Sequence, residues 1–154
     1  MLRISRPLSL LLPGLLALGV LAGCSSVSSI KADMHADKGL NPDLNGRPSP
    51  LVVRLYELKS LSVFNNADFF NLFEQDVALL GDELQMRDEL AFQPGENKSL
   101  QRELRPDTRY IGLVGAYRDI ENARWRNSIP IAPHDELDLQ IVFGAKGIEI
   151  KKEQ

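Results

Sequence analysis

Apolar and polar residues alternate one by one through segment after segment of this chain, most cleanly in DELDLQIVF, where Leu137, Leu139, Ile141 and Phe143 share one parity. Successive side chains of an extended strand point to opposite faces, so a run of this kind is satisfied as a half-buried strand. The same pattern places Ile30, Ala32, Met34 and Ala36 on one face, and Leu51, Val53 and Leu55 on another, with Val52, Arg54 and Tyr56 behind them. ELQMRDELAF repeats it through Leu84, Met86, Leu90 and Phe92, with Asp88 as the exception. Shorter strands are expected at Leu100 to Leu104, at Tyr110 to Tyr117 with Gly112 and Gly115 as close-packing or bulge positions, in ARWRNSIPIAP, and in KGIEIKK. Turn residues separate them at Pro94-Gly95 and Pro106-Asp107, and GAKG reads as a hairpin. About eight short strands at this spacing predict a mainly β chain, a two-sheet antiparallel β-sandwich.

One stretch breaks the period. NNADFFNLFEQDVALLGDEL offers Asn65 or Asn66 as an N-cap, Asp68 in the first turn, apolar Phe69, Phe73, Val77 and Leu80 at helical spacing, and Gly81 as a stop. Phe70, Leu72 and Leu79 widen the stripe, so one inserted helix is expected to pack on a sheet after the second strand.

The chain opens with Arg3 and Arg6, then an apolar run from Leu8 to Leu21 that is short for a membrane span, then Leu21-Ala22-Gly23-Cys24. That ending resembles the lipobox of bacterial lipoproteins. It implies a cleaved leader over residues 1–23, a lipidated tether over 24–28 beginning at Cys24, and a sandwich domain over 29–154. Several acyl chains on one cysteine make a stable membrane anchor where one chain would not. Ser25 stands where an aspartate would favour inner-membrane retention, which points to the outer membrane, on its periplasmic face. With one cysteine, no disulfide within the chain can support the fold.

Composition excludes more than it names. The chain carries a net charge of −3, and losing the leader removes two arginines and no acid, so nucleic acid is a poor partner. His35 and His134, the two histidines, sit on dissimilar segments and do not suggest a metal site. No nucleophile elbow, zinc-protease motif or phosphate loop occurs. The acidic clusters Asp135, Glu136 and Asp138, and Glu83, Asp88 and Glu89, read as solvated surface. Neither an enzyme nor a cofactor is expected.

The connection between the first two strands, GLNPDLNGRPSP, is unusual. Pro42, Pro48 and Pro50 restrict φ, Asn45-Gly46 accommodates positive φ, and Asp43 can bond to its own backbone. Such a loop has little entropy to lose on docking. Its tip is expected to expose Leu40, Leu44 and Arg47. Composition leaves two readings open, a partner-binding loop and a cover for the end of the sandwich.

The ordered set NPDLNGRPSPLVVRLYELKS, FFNLF before a helix, LGDEL, PGE and YIGLVGAYRDIENARWR, together with Cys24, resembles the TssJ (SciN) lipoproteins of the type VI secretion system. The resemblance spans nearly all of the chain after the leader. It implies a transthyretin-like β-sandwich with a helical addition, lipid-anchored to the outer membrane. The implied partner is the periplasmic carboxy-terminal region of TssM and, through it, TssL. The implied contact loop is Asp37 to Ser49, with Leu40, Asn41, Pro42, Asp43, Leu44, Asn45, Gly46 and Arg47 as candidate contacts. Arg118, Asp119, Trp125 and Arg126 are expected to form a corner where the tryptophan packs and an arginine pairs with an acid, and Arg54 is expected in an ion pair. The rival from another class is a periplasmic transthyretin-like lipoprotein that binds or hydrolyses a small molecule, or that inhibits or chaperones another protein.

Overall fold

The computed structural model describes residues 27–153. Cys24 and the leader lie outside them. Eight strands form: β1 (Ser29–Ala36), β2 (Leu51–Leu58), β3 (Leu84–Phe92), β4 (Asn97–Glu103), β5 (Tyr110–Gly115), β6 (Arg126–Pro130), β7 (Glu136–Gly144) and β8 (Gly147–Lys152). They build two four-stranded sheets, in the orders β4-β1-β7-β8 and β3-β2-β5-β6. The expected sandwich is therefore present, with one departure from a wholly antiparallel arrangement. β1 and β7 run parallel, Ile30 opposite Leu137 and Phe143 opposite Ala36. Residues between these two strands cross to the second sheet and back, and that long path permits a parallel neighbour.

The alternation read from the sequence becomes the main core. Ile30, Ala32, Met34 and Ala36 meet Leu51, Val53, Leu55, Leu139, Ile141 and Phe143, all buried. Phe92 and Phe143 close one end with ring centroids 4.7 Å apart. The exception, Asp88, has a physical account. It sits opposite Leu55, facing the other sheet, and it pairs with Arg102 of β4. Arg102 also lies 3.1 Å from Glu57 Oε1. Glu57, fully buried, accepts from the Arg105 amide at 2.8 Å and from the Thr108 hydroxyl at 2.9 Å. Glu57 and Asp88 are thus ion-pairing residues that tie the two sheets together.

The expected single helix is replaced by three short ones, α1 (Ser62–Asn66), α2 (Phe69–Glu74) and α3 (Asp76–Leu80), followed by a 3-10 turn over Gly81–Glu83. Asp68 caps α2, accepting from the Asn71 amide at 3.0 Å, and Ala67 just before it is extended at φ −72 and ψ 144. These breaks redirect the side chains. Phe64, Leu72 and Leu80 are buried with Tyr56, Leu58 and Val114 in a second core on the outer face of the β2-β5 sheet, whereas Val77 and Phe70, expected inside, are exposed. Gly112 permits the close approach, since a Cβ there would lie 2.9 Å from Phe64 Cζ. Among the described residues, no helix is long and apolar enough to cross a membrane.

Candidate functional site

The loop joining β1 to β2 is held at its base by both strands and by the rest of that end of the sandwich. The Asp37 amide donates to Phe143 O at 2.9 Å, and the Ser49 amide donates to Leu40 O at 2.9 Å. Leu40 is fully buried in the main core and Asn41 is 3% exposed. This corrects the expectation that Leu40 projects from the tip: it anchors the loop from beneath. Asn41 adopts φ 43, a left-handed conformation that asparagine tolerates better than most residues. Its side-chain amide donates to Pro50 O at 2.8 Å, and its Oδ1 accepts from the Arg118 amide at 2.8 Å. One side chain therefore closes the loop and joins it to the segment after β5.

The tip is a small closed turn organised by Asp43. Its Oδ1 accepts from the amides of Asn45 at 2.8 Å and Arg47 at 3.0 Å, while Oδ2 accepts from Arg47 Nε at 2.8 Å. The Asp43 amide donates to Arg47 O, and the Gly46 amide to Asp43 O, each at 2.9 Å. The Arg47 amide first, then its guanidinium and the Asn45 amide, hold the Asp43 carboxyl below the usual carboxylate range, outweighing the desolvation that opposes them. Gly46 takes φ 73, which the turn requires. Leu44 is fully exposed at the apex. Of the three anchors expected at the tip, Leu44 is exposed, Arg47 is committed to Asp43, and Leu40 is inside.

Beside the tip lies a groove of about 780 Å³, walled by Pro42 to Asn45 on one side, by the turn Arg118 to Ala123 on another, and by Ala145 and Lys146 of the β7–β8 hairpin. Asp119 holds that turn, its Oδ1 accepting from Asn122 Nδ2 at 2.8 Å and its carbonyl from the Ala123 amide at 2.9 Å.

The corner expected from Arg118, Asp119, Trp125 and Arg126 forms differently. Trp125 does pack, edge-on to Phe69 with centroids 5.3 Å apart. Arg126 lies 4.6 Å above the Trp125 ring and donates to Phe64 O at 2.8 Å and Ala67 O at 2.7 Å. It satisfies carbonyls where α1 ends, so its partner is backbone and not an acid. Arg54 forms the expected ion pairs, to Asp76 at 3.0 Å and Glu89 at 2.9 Å. Asp76, 3% exposed, went unnoticed in the sequence. The available signal was two arginines, Arg54 and Arg87, on neighbouring strands facing the insert.

His35 binds Asn97 Oδ1 at 2.6 Å on the β1–β4 surface. Among the described residues, no group of three or more His, Cys, Asp or Glu could hold a metal ion.

The profile described as type VI secretion lipoprotein, VasD, EvfM, TssJ, VC_A0113, matches residues 28–146. None of the curated proteins matches the chain. Among solved structures, the type VI lipoprotein TssJ1 of Pseudomonas aeruginosa is 36% identical, with a TM-score of 0.81 over 83% of this chain and 98% of that one. Serratia marcescens Lip, a membrane-bound component of the type VI secretion system, is 29% identical, with a TM-score of 0.74 over 80% of this chain and 97% of that one. A chain from a structure described as the T6SS protein TssM C-terminal domain from EAEC is 20% identical with a TM-score of 0.62, covering 82% of this chain and 98% of that one, and shares the fold. The matched span contains both sheets up to the last hairpin, the helical insert and the whole loop, and on that ground the chain belongs to the type VI secretion lipoprotein family that includes TssJ.

Proposed function

We propose that this protein is an outer-membrane anchor of the type VI secretion membrane complex. In this reading residues 1–23 are a cleaved leader, acylated Cys24 fixes residues 24–28 to the periplasmic face of the outer membrane, and the β1–β2 loop captures the periplasmic carboxy-terminal region of TssM, and TssL through it. The domain acts by binding and not by catalysis.

The observation that carries the proposal is the polarity of β1. Ser28 is docked at one end of the sandwich, its hydroxyl donating to Ala132 O at 3.0 Å, and the loop starts where the eight-residue strand ends. A strand of that length spans about 26 Å. Four residues from Cys24 to Ser28 reach at most about 14 Å. The lipidated pole is thereby held close to the bilayer and the loop is carried to the pole facing the periplasm. A chain of this fold occurring in a structure described as the TssM C-terminal domain supports the choice of partner. Confinement to a surface raises the effective concentration of loop near its partner, so a modest contact can hold a large assembly.

The test is co-purification of the full chain, solubilised from membranes, with a TssM periplasmic carboxy-terminal fragment. Wild type is expected to retain the fragment. A variant in which Asp43 to Arg47 is replaced by two glycines is expected to lose it, with a thermal midpoint within a few degrees of wild type because the buried base of the loop is untouched. Retention by the shortened variant would place the interface elsewhere, and no retention by wild type would remove TssM as the partner.

A further inference from the structure

We propose that the groove beside the loop tip seats a partner segment that presents a carboxylate next to a large apolar side chain. This deepens the reading of the loop as the partner site and rests on it.

The argument concerns which polar groups in the groove are already engaged. Asp43 accepts three hydrogen bonds from Asn45 and Arg47, and Asp119 accepts from Asn122 within its own turn. The two cations lining the groove are different. The Arg118 guanidinium and the Lys146 ammonium enter no ion pair among the described residues, and Arg118 reaches Asp43 only through space. Their backbones do the structural work: the Arg118 amide donates to Asn41 and Lys146 O accepts from the Arg124 amide at 2.9 Å. The side chains are left with donors and no acceptor.

Formal charges of the lining balance, but the anions are bonded and the cations are available. Arg47, closed on Asp43, adds a positive charge to the rim. With Asp43 neutralised by Arg47, Arg118 and Lys146 face one remaining carboxylate, Asp119, and on a chain whose net charge is −3 this local positive excess favours an acidic group. A carboxylate would take charge-assisted bonds from Arg118 in a two-pronged geometry that a neutral acceptor does not reproduce. Leu44 supplies the apolar half. Fully exposed on a turn that Asp43 holds in shape, it offers a fixed aliphatic contact beside the cations.

The experiment measures affinity of the full chain for the TssM periplasmic fragment at several salt concentrations. Arg118→Glu and Lys146→Glu are each expected to weaken binding about tenfold or more at low salt, and the double variant to lose the salt dependence shown by wild type. Leu44→Ala is expected to weaken binding while leaving the salt dependence unchanged. Neither charged side chain supports the fold, so unfolding midpoints should match wild type, and Arg118→Lys should retain part of the affinity. Charge-reversal variants within twofold of wild type, with salt-independent binding, would overturn the groove while leaving the loop as the site. Absence of wild-type binding would overturn both.

Discussion

Asn41 is the residue on which the loop depends. It combines a positive φ with two hydrogen bonds to backbone groups that have no other use, Pro50 O and the Arg118 amide. Asn41→Ala removes both bonds and puts in the left-handed conformation a residue that tolerates it less well than asparagine does. The expected loss is about 3 kcal/mol in urea unfolding. Asn41→Gly removes the same bonds but tolerates the backbone, and should lose about 1 kcal/mol less. Equal losses for the two variants would show that φ contributes nothing there. Both variants should also weaken partner capture, since the loop base and the wall of the groove at Arg118 are joined through this one side chain. Asparagine and proline content made a stiff loop legible in the sequence. Which asparagine bridges 77 positions to Arg118 was not.

At the scale of the element, the helical insert is pinned by a buried charge. Asp76 accepts from Arg54 Nη1, Arg87 Nη1 and the Tyr56 hydroxyl, each at 3.0 Å. Burial alone would raise the Asp76 pKa, but donors from Arg87, Tyr56 and the Val77 amide, with the charge of Arg54, outweigh it and hold the carboxyl below its ordinary value. Asp76→Asn leaves two arginines facing a weaker acceptor under an apolar layer, and is expected to lose about 3 kcal/mol near neutral pH. Because the folded pKa is depressed, the carboxylate's contribution is complete above the ordinary value of 3.8 and is lost as pH falls below it. The gap between wild type and Asp76→Asn should therefore narrow as pH drops under that value, as measured by unfolding at fixed pH. A gap constant from pH 7 to pH 3 would show that ionisation of Asp76 does not stabilise the insert. The break at Gln75, with φ −129, accompanies this arrangement: Asp76 and Leu80 lie beneath α3 while Val77, expected on the same inward stripe, is turned out.

For the whole molecule, Ser28 and the β1–β2 loop lie at opposite ends of β1, and in the proposed reading the sandwich is the spacer between the lipid anchor and the loop. Cys24→Ser should abolish palmitate labelling and release the protein from the outer-membrane fraction. Binding of the TssM fragment in solution should stay within twofold of wild type, because the loop is built entirely from residues beyond the tether. A variant that still labels and still fractionates with the outer membrane would remove the lipid anchor. A variant that is released and also loses TssM in solution would show that the two poles are not independent.

The strands, the main core faces and the presence of a stiff loop could be read from the residues alone, because alternation and turn chemistry are local and each strand buries the face its own residues specify. Leu137 to Phe143 needed no neighbour to declare their inward side. Tertiary structure alone decided the parallel pairing of β1 with β7, the division of the helix into three, the burial of Leu40 and the ion pairs that occupy Asp88, Glu57 and Asp76. Those outcomes turn on which distant groups meet, and a buried carboxylate reads as surface until the arginine that compensates it is brought within about 3 Å by the fold.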